Sequence, residues 1–201
     1  MKVASEIDKP VLIVGGGPVG MTMALCLAKR GIPSYLVELR SAETLPDVKC
    51  NHISSRSMEL FRSLGISQDL RAAGLPDNYP HDVSYRTSTL GEEIARIHIP
   101  GRNTRLTDHS GPDGNWPTPE PPHRINQRYI EPILRRHVQK QALITCLYRH
   151  QVLSFTQDEN QVTAQIQNLD SPESQAFTLS AAYMVGCDGG RSMVRKGMGA
   201  K

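Results

Sequence analysis

The sequence predicts an α/β fold built on a parallel sheet, and three observations carry that prediction. Val11-Leu12-Ile13-Val14 is an unbroken apolar, β-branched run, as expected of a strand covered on both faces. Gly15, Gly17 and Gly20 follow it at G-x-G-x-x-G spacing and lead into a helical pattern. A second short strand, Tyr35-Leu36-Val37, then ends on Glu38, 18 residues past Gly20. Strand, glycine turn, helix, strand and acid together are Rossmann-like, an arrangement that receives a dinucleotide.

Each part has its own justification. Gly15 lets the chain turn sharply, Gly17 lets backbone approach a pyrophosphate, and Gly20 lets the following helix sit against the strand. The phosphates then lie at the helix N-terminus, which makes Gly15, Gly17, Pro18 and Gly20 the candidate contacts. Met21 to Arg30 contains no internal Gly or Pro and is rich in Ala, Leu and Met. Lys29 and Arg30 suit the negative end of its dipole, and Gly31 stands where a helix-ending glycine belongs. Glu38 is placed to accept from the 2′- and 3′-hydroxyls of a ribose. Its plain alternative is a strand-end charge facing water.

The totals narrow the function classes. A chain of 201 residues fits one sizeable domain, or one and part of another. The net charge of +3 is small and the basic residues are scattered, so no nucleic-acid partner is expected. Cys26, Cys50, Cys146 and Cys187 form no C-x-x-C pair, which argues against a zinc site or a secreted disulfide framework and for a cytoplasmic setting. No metal is expected. No apolar stretch approaches the roughly 20 residues of a membrane span, and no secretory signal is visible.

Further along, Ser41 to Ile53 has no clear period and reads as a loop. A helix follows from Ser55 to Leu64, with Met58, Phe61 and Leu64 at helical spacing and Gly65 closing it. Ser67 to Ala73 reads as a second helix with Ser67 as its N-cap and Gly74 beyond its end. Residues 82–86 and 95–99 alternate and read as a hairpin around Thr89-Leu90-Gly91, with Ala95, Ile97 and Ile99 on a face that should cover something. Pro100 to Pro122 holds six prolines, three glycines and the only tryptophan, Trp116, and reads as an ordered surface loop or a linker. Asn126 to Lys140 is a helix with Ile130, Ile133, Leu134 and Val138 on one face; Pro132 suggests that its regular part begins near Glu131. Strands are expected at 145–148, 152–156, 162–167 and 182–186, followed by Cys187-Asp188-Gly189-Gly190-Arg191-Ser192.

Four elements in this order carry a resemblance. They are the glycine motif with Glu38, the Arg56-Ser57-Met58-Glu59 helix, Asn126-Gln127 opening a helix, and Gly186-Cys187-Asp188-Gly189-Gly190-Arg191-Ser192. The chain resembles the FAD-dependent aromatic-ring monooxygenases of the phenol hydroxylase and para-hydroxybenzoate hydroxylase type. Trp116-Pro117 and Pro121-Pro122-His123-Arg124-Ile125-Asn126-Gln127 give it the flavour of the phenol and chlorophenol hydroxylases. The resemblance implies an FAD-binding domain over 1–201, with 81–123 a partial excursion into an antiparallel substrate-side sheet. It implies FAD as cofactor, NADPH or NADH with dioxygen as co-substrates, and a small phenol-like substrate.

By the same resemblance Lys49 or Arg56 approaches the pyrophosphate, Gln127 contacts the ribityl or phosphate region, and Asp188-Gly189 touches the ribityl chain. Asn51 and His52 stand where some relatives place a polar group near the reacting ring. Each has a plain alternative. Asp188 can cap the helix that begins near Arg191, Gln127 can be a surface residue at a helix start, Lys49 a loop charge, and His52 a solvent-facing ring. Arg191 and Arg195 fit a helix end or an ion pair better than a nicotinamide contact.

Members of this family are about twice as long, with a second Gly-Asp-Ala motif that closes over the flavin. Neither that motif nor the rest of the substrate sheet is found here, so the chain is expected to hydroxylate poorly by itself and to associate with a second chain or with itself. The rivals are a flavin-binding remnant without turnover and a nicotinamide-dependent dehydrogenase, which leaves the 187–190 segment without a use.

Overall fold

A computed structural model of the chain describes residues 9–46, 48–109, 118–171, 173 and 175–200. Trp116, Pro117 and the first eight residues lie outside the described residues. The described residues up to Pro46, together with those from Glu131 onward, form one compact unit; those between, through Ile130, form a second.

The first unit is organised on a four-stranded parallel sheet. Its strands are β1 (Val11–Val14), β2 (Ser34–Glu38), β7 (Ile144–Tyr148) and β11 (Tyr183–Gly186), in the order β11-β1-β2-β7. All four residues of β1 are buried, as a strand flanked on both sides and covered on both faces must be. The α/β fold class expected from the sequence is therefore found. The assignment of β7 to this sheet is not legible in the chain order, because β7 is followed directly by antiparallel strands.

Helix α1 (Pro18–Ala28) packs on β1 and β2 and buries Gly20, Met21, Ala24, Leu25 and Ala28. Proline suits its first turn, where the missing N–H has no intrahelical acceptor in any case. Gly31, at φ +73°, ends it, and Arg30 Nη1 donates to Cys26 O at 3.0 Å.

A three-stranded antiparallel sheet belongs to the same unit: β8 (His150–Gln157), β9 (Val162–Asn168) and β10 (Phe177–Ala181), in the order β10-β9-β8. Val162, Ala164 and Ile166 alternate inward on β9. They pack with Leu12, Val14 and Val37 of the parallel sheet into one core. Asp158 Oδ1 accepts from the Asn160 and Gln161 amides and so fixes the β8–β9 turn. Strand β10 is not among the expected strands, although Phe177, Leu179 and Ala181 alternate with Thr178 and Ser180; pairing with β9 forms it.

In the second unit β3 (His52–Ile53) pairs antiparallel with β6 (His123–Arg124). The segment read as a loop thus ends in a short strand. Helix α2 (Ser55–Ser63) is capped by the Ser54 hydroxyl, which accepts from Ser57 N at 3.3 Å, and it buries Met58 and Phe61. Helix α3 (Ser67–Ala73) starts one residue earlier than expected: Ile66 is its N-cap and Ser67 is already helical. The Ile66 side chain is fully buried, so packing outweighs the missing capping oxygen.

Strands β4 (Val83–Arg86) and β5 (Glu93–Ile97) form the expected hairpin, but every residue of both is exposed. The expectation that one face covers something is not met among the described residues. The hairpin stands on side-chain pairs instead, with Arg96 bridging Glu93 at 2.6 Å and Asp82 at 2.9 Å.

Helix α4 (Gln127–Gln139) begins at Gln127, not near Glu131, so Pro132 lies inside it. Asn126 Oδ1 accepts from Arg128 N at 3.0 Å and supplies the cap that allows this early start. The proline itself is exposed, which keeps its ring off the core. Helix α5 (Met193–Gly197) completes the described elements.

Candidate functional site

The glycine turn is built from both of its neighbouring strands. Gly15 N donates to Val37 O at 2.8 Å, and Cys187 N donates to Val14 O at 2.7 Å. The turn after β1 is thereby held beside the turn after β11. Gly15 sits at φ +105°, and a Cβ there would press on the Cys187 carbonyl and lie 2.9 Å from Asp188 N. A Cβ on Gly20 would overlap the Gly15 carbonyl oxygen, so α1 can approach this turn only without one. Gly17 differs: a Cβ there would meet nothing within 4 Å. The open space beside Gly17, at the start of a helix with no side-chain cap, is a cradle that a phosphate fits.

Glu38 is buried and turns back to this loop. Its Oε2 accepts from Gly16 N at 2.6 Å, while Oε1 accepts from Arg40 N at 2.9 Å and Arg40 Nε at 3.0 Å. A carboxylate has about four lone-pair positions, so these three donors leave it capacity for a hydroxyl. The solvent-facing alternative is not what the structure shows. Gly16 has a role the motif does not specify, since a Cβ there would lie 2.8 Å from Glu38 Cβ. Arg40 was likewise missed. The available signals were the middle glycine of the Gly15-Gly16-Gly17 run and an arginine two residues after the acid.

Asp188 caps α5: Oδ2 accepts from Met193 N at 2.6 Å and Val194 N at 3.3 Å, and Oδ1 from the Ser192 hydroxyl at 2.5 Å. Burial works to raise its pKa, but the Ser192 hydroxyl and the surrounding amides outweigh it and hold the carboxyl below its usual value. Gly189, at φ +79°, opens to empty space beside it. Arg195 Nη2 donates to Gly190 O at 3.0 Å, a helix-end contact.

The second unit carries the remaining candidates. Gln127 N donates to Cys50 O at 2.8 Å and Ile125 N to Asn51 O at 3.2 Å, so the 49–53 and 123–127 segments run side by side. Lys49 and His52 are exposed. The His52 ring meets that of His81 edge-on at 6.1 Å. Arg56 is exposed and pairs with Glu59 at 3.4 Å. Asn51 lines a cavity of about 650 Å³, together with Leu75, Tyr79, Arg124, Ile125 and Tyr129.

The FAD binding domain family matches residues 8–201. The chain belongs to that family. Among its relatives are phenol 2-monooxygenase of Pseudomonas sp. (strain EST1001), 31% identical over 96% of this chain and 30% of that protein, and 2,4-dichlorophenol 6-monooxygenase of Cupriavidus pinatubonensis, 30% identical over 95% of this chain and 31% of that protein. Among solved structures, the flavin-dependent monooxygenase PieE in complex with FAD and substrate superposes with a TM-score of 0.82 at 31% identity, over 96% of this chain and 32% of that one.

The FAD-dependent monooxygenase family expected from the motifs is thus the family found, with FAD as its cofactor. This FAD binding domain spans about a third of the length of the relatives it matches. None of the helices among its described residues is long and apolar enough to cross a membrane.

Proposed function

We propose that the chain binds FAD, with its first unit holding the pyrophosphate and the adenosine ribose, and serves an FAD-dependent hydroxylation of a phenol-like ring with NAD(P)H and dioxygen. The observation that carries this reading is the meeting of three groups at one turn. The open Gly17 cradle, the Glu38 carboxylate on Gly16 N and the Asp188-Gly189 bend all lie around Gly15. In this proposal the amides beside Gly17 hold the pyrophosphate, with Pro18 opening the helix behind them. Glu38 accepts from the adenosine ribose. The Asp188-Gly189 bend borders the ribityl chain, its carboxylate already fixed by α5.

Lys49, Arg56 and Gln127 are proposed for the flavin contacts that the resemblance implies. Bound FAD would accept the hydride from NAD(P)H and pass the electrons to dioxygen. The cavity beside Asn51, with Tyr79, Ile125 and Tyr129 in its wall, is proposed to take the aromatic ring, with Asn51 as the polar group facing it. We place both units in a single FAD-binding domain, with 81–123 as its substrate-side excursion.

Purified chain mixed with FAD and desalted is expected to retain the flavin's visible absorbance. A colourless protein overturns the reading. If flavin is retained, NADPH consumption stimulated by a panel of phenols, with a hydroxylated product by mass spectrometry, supports the full reaction. Retained flavin without product assigns the chain to flavin binding alone.

A further inference from the structure

We propose that Glu131 is a positioning residue for Glu38, acting through Arg40. The inference rests on the reading that Glu38 receives the adenosine ribose. Glu131 lies in the second turn of α4 with its side chain fully buried. A carboxylate removed from water is costly unless a cation stands beside it. Arg40 Nη2 is that cation, 3.6 Å from Glu131 Oε2. Arg135, one turn further along the helix, is committed elsewhere: it donates to the Ala42 carbonyl and lies over the Tyr148 ring at 6.0 Å.

The far side of the same guanidinium reaches Glu38. Arg40 Nε donates to Glu38 Oε1 at 3.0 Å, and the Arg40 amide donates to the same oxygen at 2.9 Å. Glu38 Oε1 is therefore held from two directions, which turns Oε2 to Gly16 N at 2.6 Å and to the glycine turn. An arginine following a strand end has many rotamers available, and ordering it costs free energy. The buried Glu131 selects one of them. The row Glu131–Arg40–Glu38–Gly16 thus runs from the inside of a helix to the edge of the phosphate cradle.

The role predicts a ligand-specific defect. A purely structural ion pair would weaken every ligand alike, or only lower the melting temperature. The test uses calorimetric titration of the chain with ADP and with 2′,3′-dideoxy-ADP, which lacks the hydroxyls that Glu38 would accept from. The native chain is expected to favour ADP by about ten- to a hundred-fold. In Glu131→Gln this preference should fall to about threefold or less, with the dideoxy-ADP affinity unchanged.

A preference retained in Glu131→Gln overturns the positioning role. No preference in the native chain overturns the ribose reading, and the positioning role falls with it. The double variant Arg40→Met/Glu131→Gln removes both charges of the buried pair and leaves neither stranded; if the single variant unfolds, an ADP preference retained in this double variant overturns the row, since both Arg40 and Glu131 are then gone. If neither variant folds, Glu131 is a core residue only and the proposal is overturned.

Discussion

The two compact units bury different kinds of residue. In the first, Leu12, Ile13, Met21, Leu36, Leu134 and Ile166 are all but inaccessible, and the core joins a parallel sheet to an antiparallel one. Each such side chain contributes about 1.5–3 kcal/mol by leaving water, without directional demands. The second unit also buries apolar side chains, such as Met58, Ile66 and Leu70, but it takes Arg71, His81, Arg105 and His123 inside with them. Arg71 Nη2 donates to Glu120 Oε2 at 2.7 Å and to Pro121 O at 2.8 Å, and His123 Nε2 donates to Leu70 O at 2.9 Å. Apart from the buried carboxylates Glu38 and Glu131, the first unit is specified by pattern and shape, whereas the second takes arginine and histidine side chains inside. A unit of the second kind responds to pH and to loss of a single charge.

The largest expected effect tests the shape-limited turn. Gly20→Ala should destabilise the chain by about 3–4 kcal/mol in urea unfolding, because its Cβ would overlap the Gly15 carbonyl. Gly17→Ala should alter stability by no more than about 0.5 kcal/mol, since its Cβ enters open space, yet it should weaken FAD binding. Equal losses in the two variants would remove the distinction between a packed glycine and a cradle glycine.

Next comes the charge-limited unit. Glu120→Gln leaves Arg71 buried with a neutral partner and should cost about 3 kcal/mol by the same measurement. A cost near zero would show that the pair is solvated and that the contrast between the units is overstated.

The pH profile sharpens the same point. Burial first, and then the charges of Arg124, His52, His123 and Arg105, push the His81 pKa down from 6.5 to about 4. The folded pKa lies below the unfolded one, so the neutral ring is what folding favours. Its contribution is complete above pH 6.5 and is lost as pH falls from 6.5 to about 4, by at most roughly 3 kcal/mol. His98 runs the other way. Hydrogen bonding to Asp108 raises its pKa against modest desolvation, so its contribution is present below 6.5 and lost as pH rises through the raised value. His81→Gln should flatten the acid limb of stability against pH and leave the alkaline limb unchanged.

The smallest effect is on the hairpin. Ile94 is 70% exposed, and Ile94→Thr should change stability by less than about 0.5 kcal/mol. A larger loss would mean that the hairpin packs against a surface in solution.

Much of the first unit was legible because its physics is local and periodic. Val11–Val14 could be read as a buried strand from its unbroken apolar, largely β-branched run, and the G-x-G-x-x-G spacing dictated a turn in which Gly15 and Gly20 are sterically required. The alternation of Val162, Ala164 and Ile166 likewise gave away the inner face of β9. Less was legible in the second unit, where the hairpin alternates as a half-buried sheet would and yet is exposed. Alternation reports which residues share a face, not whether anything lies against it.

By itself the sequence determined the strand–turn–helix–strand unit, the acid at its end and the family, because each motif that carries them is read from a short local stretch, even where the motifs stand far apart in the chain. Only the tertiary structure decided that β7 joins the parallel sheet, that β10 exists, that Gly16 must be bare to admit Glu38, and that Glu131 reaches Arg40. Each of these is a meeting of segments distant in sequence. Its energy comes from burial and from donor–acceptor geometry that no single stretch of chain contains.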